Sequence, residues 1–278
     1  MRTSQVLLGV LVLGFLHAPL ARAEPREVTL PVEIGPISGL AKDTRSLVIG
    51  KNDRRNLRVY DAQDAAEHPV LGQPLREVLG LVKPPKGADT LLLLFKNGMQ
   101  VPVPLADKAA IDDLFVVFEH ADPYGHFDRT YRLKNADAVE CPKVVLQSRE
   151  TAFSPLRHAD TLVGLRLVQR RDYDLQLAQP TREAPTQPGW RLYVRYCSFC
   201  HGLGGQGATY APDFITDMHA AYRRVPPLAE TDGRQHPSLH DKVHGKVQGS
   251  MPTLTHVPNA DIATIWRWLH QVHAGAVK

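Results

Sequence analysis

The run Cys197-Ser198-Phe199-Cys200-His201 concentrates more chemistry than any other stretch of this 278-residue chain. Two thiols separated by two residues can be presented together by one helical turn, and the histidine after the second is carried on the same turn. That arrangement suits covalent attachment of haem, with the thiols on the two vinyl groups and the imidazole on the iron. Two other uses of these residues stay open at this point. A dithiol redox pair wants a β-α-β setting, whereas the flanks read as a helix before and a glycine-rich loop after. A structural zinc ion wants four ligands; His236, His240 and His244, at helical spacing, are the spare imidazoles, and a solvated face is their blander reading.

The flank before the motif reads as helical, and Asn259 to Val272 reads as the closing helix. In that last segment Asn259 can cap, Asp261 lies in the first turn, and Ile262, Ile265, Trp266, Leu269 and Val272 recur at helical intervals.

From Gly189 to the end, about 90 residues, the chain resembles a class I cytochrome c domain. The resemblance rests on Gly189-Trp190-Arg191-Leu192-Tyr193 leading to His201-Gly202, and on the loop Gly202 to Gly207. It implies an all-α domain around one haem c, held covalently by Cys197 and Cys200 and ligated by His201, with single-electron transfer as its work. It also implies a methionine as second axial and metal ligand, and Gly249-Ser250-Met251-Pro252 stands where the family places it. The chemistry supports Met251: thioether sulfur is a soft, neutral ligand that favours reduced iron and raises the potential. Met218 lacks the family context, and Met99 lies in the N-terminal region. Core packing for Met251 and a bis-histidine haem are the competing readings. The resemblance further places Trp268 or Trp266 against Tyr193, and the Pro212 carbonyl behind the axial histidine, fixing its tautomer.

The N-terminus reads as a secretory signal peptide, residues 1–23: Arg2, the apolar run Val6 to Leu16, then Ala21-Arg22-Ala23. The run is well short of the about 20 residues a spanning helix needs, so cleavage, a periplasmic location and no stable membrane span are expected. Removal of Arg2 and Arg22 lowers the formal charge from +4 to about +2, and the remaining charges are scattered, so no nucleic-acid partner is expected. Three cysteines cannot build a disulfide scaffold, and Cys141 reads as a buried, inert thiol.

Residues 24–178 favour short strands: Val28 to Ile34, Arg45 to Ile49, Leu57 to Tyr60, Thr90 to Phe95, Met99 to Val103, Leu114 to Glu119, Thr130 to Leu133, Val144 to Gln147 and Leu162 to Val168. Asn97-Gly98 is a hairpin turn. Short helices are expected at Ala62 to His68 and Ala106 to Asp113. Gln179 to Pro188, with three prolines, reads as a stiff linker. The expected fold is therefore two-domain: an N-terminal β-rich (α+β) domain of unknown role, then the all-α domain of residues 189–278. Arg76 to Leu105 is similar to part of the molybdopterin-binding fold of sulfite-oxidase-like enzymes. Those enzymes hold molybdenum through an early cysteine, and no cysteine precedes Cys141 here. An exported monohaem electron carrier is expected, meeting a dehydrogenase, an oxidase or another cytochrome. The alternative is a haem-containing oxidoreductase with a substrate or second cofactor site in its first domain.

Overall fold

The structure is a computed structural model that describes residues 27–37, 42–50, 53–61, 66–121, 125–132, 138–147, 155–181, 186–216, 254 and 256–276. Residues 1–23, expected as a signal peptide, the three histidines 236, 240 and 244, Met218 and the Gly249 to Pro252 segment lie outside the described residues.

Strand β1 (Val28–Ile34) buries Val28, Leu30, Val32 and Ile34 at alternate positions, as the two-residue period of a strand dictates. It pairs antiparallel with β2 (Asp43–Ile49) and parallel with β12 (Leu162–Val168). β5 (Thr90–Phe95) and β6 (Gln100–Pro104) extend this first sheet to the order β2-β1-β12-β5-β6. A second sheet, order β11-β7-β4-β3, contains β3 (Arg55–Asp61), β4 (Ala66–Pro74), β7 (Leu114–Ala121) and β11 (Lys143–Leu146). The two-residue β8 (Phe127–Asp128) pairs with the end of β7, and β9 (Thr130–Tyr131) forms a ribbon with β10 (Val139–Glu140).

The sheets separate three cores, and alternation along single strands decides which side chain enters which. On β5, Leu91, Leu93 and Phe95 join the core between the sheets, while Leu92 points to the other side and packs with Val168, Tyr173 and Trp190. On β7, Val116 and Phe118 face the same central core, and Val117 packs with Val59, Val70, Tyr131, Cys141 and Val145. Full burial of a leucine-sized side chain contributes about 1.5–3 kcal/mol, so β5 stabilises both sides of the first sheet.

Two helices sit in this β-rich part, α1 (Leu75–Val82) and α2 (Lys108–Asp112). Asp107 caps α2, accepting the Ala110 N–H at 3.0 Å, within the expected stretch. The end of the helix expected at Ala62 to His68 is corrected, residues 62–65 lying outside the described residues: Ala66 begins β4, where Ala66 pairs with Asp61 and His68 with Val59. The pairing turns Val70 into a core, a tertiary gain that outweighs the local preference.

After β12 come α3 (Arg170–Ala178), a 3-10 turn Gln179–Thr181, α4 (Pro188–Tyr196), the hairpin β13 (Gly202–Leu203) and β14 (Gln206–Gly207), and α5 (Asn259–Ala276). Two expectations change. The stiff linker gives way at its start to the 3-10 turn, with Thr181 buried and its hydroxyl donating to Ala178 O at 2.8 Å, and at its end Pro188 already opens α4. The segment expected to be all-α also contains a β hairpin. No helix among the described residues is long and apolar enough to cross a membrane.

α4 buries Gly189, Trp190, Tyr193 and Tyr196 at helical spacing and crosses α5 at Gly189. A Cβ there would lie 2.1 Å from Trp268 Cβ, so only glycine admits this approach. Trp190 meets Trp268 edge-on at 5.8 Å, and Tyr193 lies 5.5 Å from Trp268. Trp268 is thus the aromatic that touches Tyr193; Trp266 packs against His270 at 5.0 Å.

Candidate functional site

The last turn of α4 runs directly into the cysteine motif. Cys197 and Ser198 N–H both donate to Tyr193 O, at 2.8 and 3.0 Å, and Cys200 and His201 N–H donate to Cys197 O, at 3.0 and 2.9 Å. Both thiols are free and are borne on one continuous turn. Burial pushes Cys197 and Cys200 up to about 12, the proximity of Cys200 adding to it for Cys197. A working dithiol redox pair needs a lowered thiol pKa, so this environment opposes that reading.

His201 is 8% exposed. Its Nδ1 lies 2.7 Å from the Pro212 carbonyl oxygen. A carbonyl only accepts, so Nδ1 carries the proton and Nε2 keeps the lone pair a metal requires. Burial lowers the His201 pKa, against the Pro212 hydrogen bond and the Asp213 charge, which raise it; the imidazole is the neutral form that binds metals. The ring stacks on Phe214 at 4.4 Å and 21°. Phe214 is itself held by its N–H on Gly202 O at 3.1 Å and by His273 Nε2 donating to its carbonyl at 2.7 Å. Behind the motif, Tyr193 OH donates to His201 O at 2.9 Å. Burial, the largest influence, raises the Tyr193 hydroxyl well above its ordinary value, so it stays a neutral donor.

Asp213 organises the loop that follows. Its oxygens accept N–H groups from Gly204, Gly205, Ile215 and Thr216 at 2.8–2.9 Å. Burial would raise its pKa, but these four backbone donors outweigh it and hold the carboxyl below the ordinary range. Asp213, Phe214 and His273 escaped the sequence reading. Pro212-Asp213 after a glycine-rich loop is a turn signal that could have marked Asp213; nothing local marks the other two, which act through contacts distant in sequence.

Met99 is fully buried in the central core. Cys141 is also buried, pushed up to about 12 by desolvation, which suits an inert thiol. His68 Nδ1 and His120 Nε2 lie 3.0 Å apart beside Tyr131, yet no group of three or more His, Cys, Asp or Glu among the described residues could hold a metal ion.

Two free thiols on one turn, followed by a buried imidazole whose Nδ1 is already committed to a carbonyl, fit a covalently held haem. Residues 184–269 match the family model described as Cytochrome C oxidase, cbb3-type, subunit III. The match supports a c-type cytochrome segment, with its covalently bound haem c, in this part of the chain. It does not reach the N-terminal sheets, whose similarity to the sulfite-oxidase fold is not shown. No curated protein and no solved structure matches the chain.

Proposed function

We propose that the chain is an exported, one-haem c-type cytochrome that carries single electrons, with His201 and Met251 as axial ligands. The observation that carries this reading is the hydrogen bond between His201 Nδ1 and Pro212 O, 2.7 Å long, at the residue that completes the Cys197-x-x-Cys200-His201 motif. Haem, when bound, supplies a one-electron iron couple. Cys197 and Cys200 would hold it covalently, and His201 Nε2 would ligate it with the ring orientation fixed by Pro212. Phe214, buried and stacked on the ring, keeps water from the imidazole. Met251 would supply the neutral sulfur that raises the potential into the range of an electron acceptor. The signal sequence of residues 1–23 and the chemistry of covalent attachment support a periplasmic site of action. There the chain meets a dehydrogenase, an oxidase or another cytochrome.

The axial assignment is tested by Met251→Ala. Covalent haem is expected to persist while the absorption spectrum changes and the variant takes up added imidazole or cyanide. An unchanged spectrum would show that another residue binds the iron.

A further inference from the structure

The hairpin joining β5 to β6 reaches across to the haem motif, and one side chain makes most of the crossing. Gln100 backbone N–H donates to Phe199 O at 3.1 Å, between the two motif cysteines. Its side-chain Nε2 donates to Gly207 O at 2.8 Å, at the far end of the loop after His201. Its Oε1 accepts from Tyr173 OH on α3 at 3.1 Å. At the hairpin tip, Gly98 O accepts Thr209 N–H at 2.9 Å. Gly98 has φ +88°, and a Cβ there would fall 2.4 Å from Thr209 Oγ1 and 2.9 Å from the Thr209 backbone carbon. Phe199 and Cys200 complete the contact by packing into the central core of the β-rich part.

We propose that Gln100 is a positioning residue for the haem: the N-terminal sheet clamps the attachment loop on both sides of His201, at Phe199 and at Gly207 to Thr209. This deepens, and rests on, the electron-carrier reading. Between the clamped points lie Cys200, His201 and the hairpin that Asp213 braces, so the backbone carrying the axial histidine is fixed from outside its own helices. Solvent exposure and hydrogen bonding around a haem set its potential. Releasing the clamp admits water, which stabilises the more highly charged oxidised iron, so the potential falls.

The test compares the full haem-loaded chain with Gln100→Met, which keeps side-chain length but loses both side-chain hydrogen bonds, and with Tyr173→Phe, which removes one partner. Val59→Ala, in the core beyond the second sheet, is the control for simple destabilisation. Midpoint potential and amide hydrogen exchange over residues 198–211 are read on each. Both Gln100→Met and Tyr173→Phe are expected to lower the potential and speed exchange in that segment, Gln100→Met more, while Val59→Ala lowers Tm and moves neither. Unchanged potential and exchange in Gln100→Met would overturn the clamp. A purified chain without covalent haem would instead overturn the electron-carrier reading, and the exchange comparison would then judge the clamp alone.

Discussion

At the scale of single residues, Asp213 carries an unusual share of the site's order, because one carboxylate receives the N–H groups of Gly204, Gly205, Ile215 and Thr216. Asp213→Asn leaves one acceptor oxygen and turns an amide N–H₂ toward backbone donors, and unsatisfied buried donors cost about 1–3 kcal/mol. That loss is the expected drop in unfolding free energy. The pH dependence follows from the carboxyl lying below its ordinary range when folded. Its contribution is complete above the unfolded aspartate value and is lost as pH falls through the lower folded one. Urea unfolding as a function of pH should show an acid loss of stability in the native chain that is reduced in Asp213→Asn; identical profiles would contradict this role. The cysteine motif was legible residue by residue because its spacing is itself the chemistry. Pro212 was legible only through resemblance, and Gln100 not at all, since its three partners lie on segments distant in sequence.

At the scale of elements, strands β1, β5 and β12 could be read with their ends because their apolar runs are buried on one or both faces and bounded by turn residues. α1 went unread: Pro74 precedes it with no side-chain cap, and only Leu75, Val78 and Leu79 mark its buried face. α3 was hidden by its polar composition, although Tyr173, Leu177 and Ala178 are buried. The crossing of α4 and α5 illustrates what a pattern cannot show. Both helices were expected, but the contact depends on Gly189 meeting Trp268, whose Cβ and Cγ would lie 2.1 and 2.6 Å from an added Cβ. Alanine is intrinsically better than glycine in a helix by about 1 kcal/mol, whereas overpacking costs about 1–3 kcal/mol or more. The overlap involves an atom next to the backbone, which cannot swing aside, so the second effect wins. Gly189→Ala should lower Tm by several degrees in a thermal melt; an unchanged or higher Tm would mean that the helices do not approach this closely.

At the scale of the whole molecule, the cysteine motif lies on a seam. Cys200 and Phe199 belong to the central core of the β-rich part, while Cys197 packs with the helices. Leu92 and Val168 cross the seam in the other direction, from the first sheet into the helical core. Strand alternation explains this sharing, because a sheet with helices on one face and a second sheet on the other must divide its side chains between two cores. A linear reading places a linker where Thr181 is buried, since the prolines that suggest it are visible and the tertiary contacts are not. The haem motif is therefore built at the meeting of both halves. One full chain is predicted to hold one haem through Cys197 and Cys200. The direct measurement is an alkaline pyridine spectrum, with haem and protein both quantified, on the full chain expressed in a periplasm competent for c-type maturation. A c-type pyridine spectrum with one haem per chain is the predicted result. Protein recovered folded but without covalent haem, under conditions where other c-type cytochromes mature, would contradict the account.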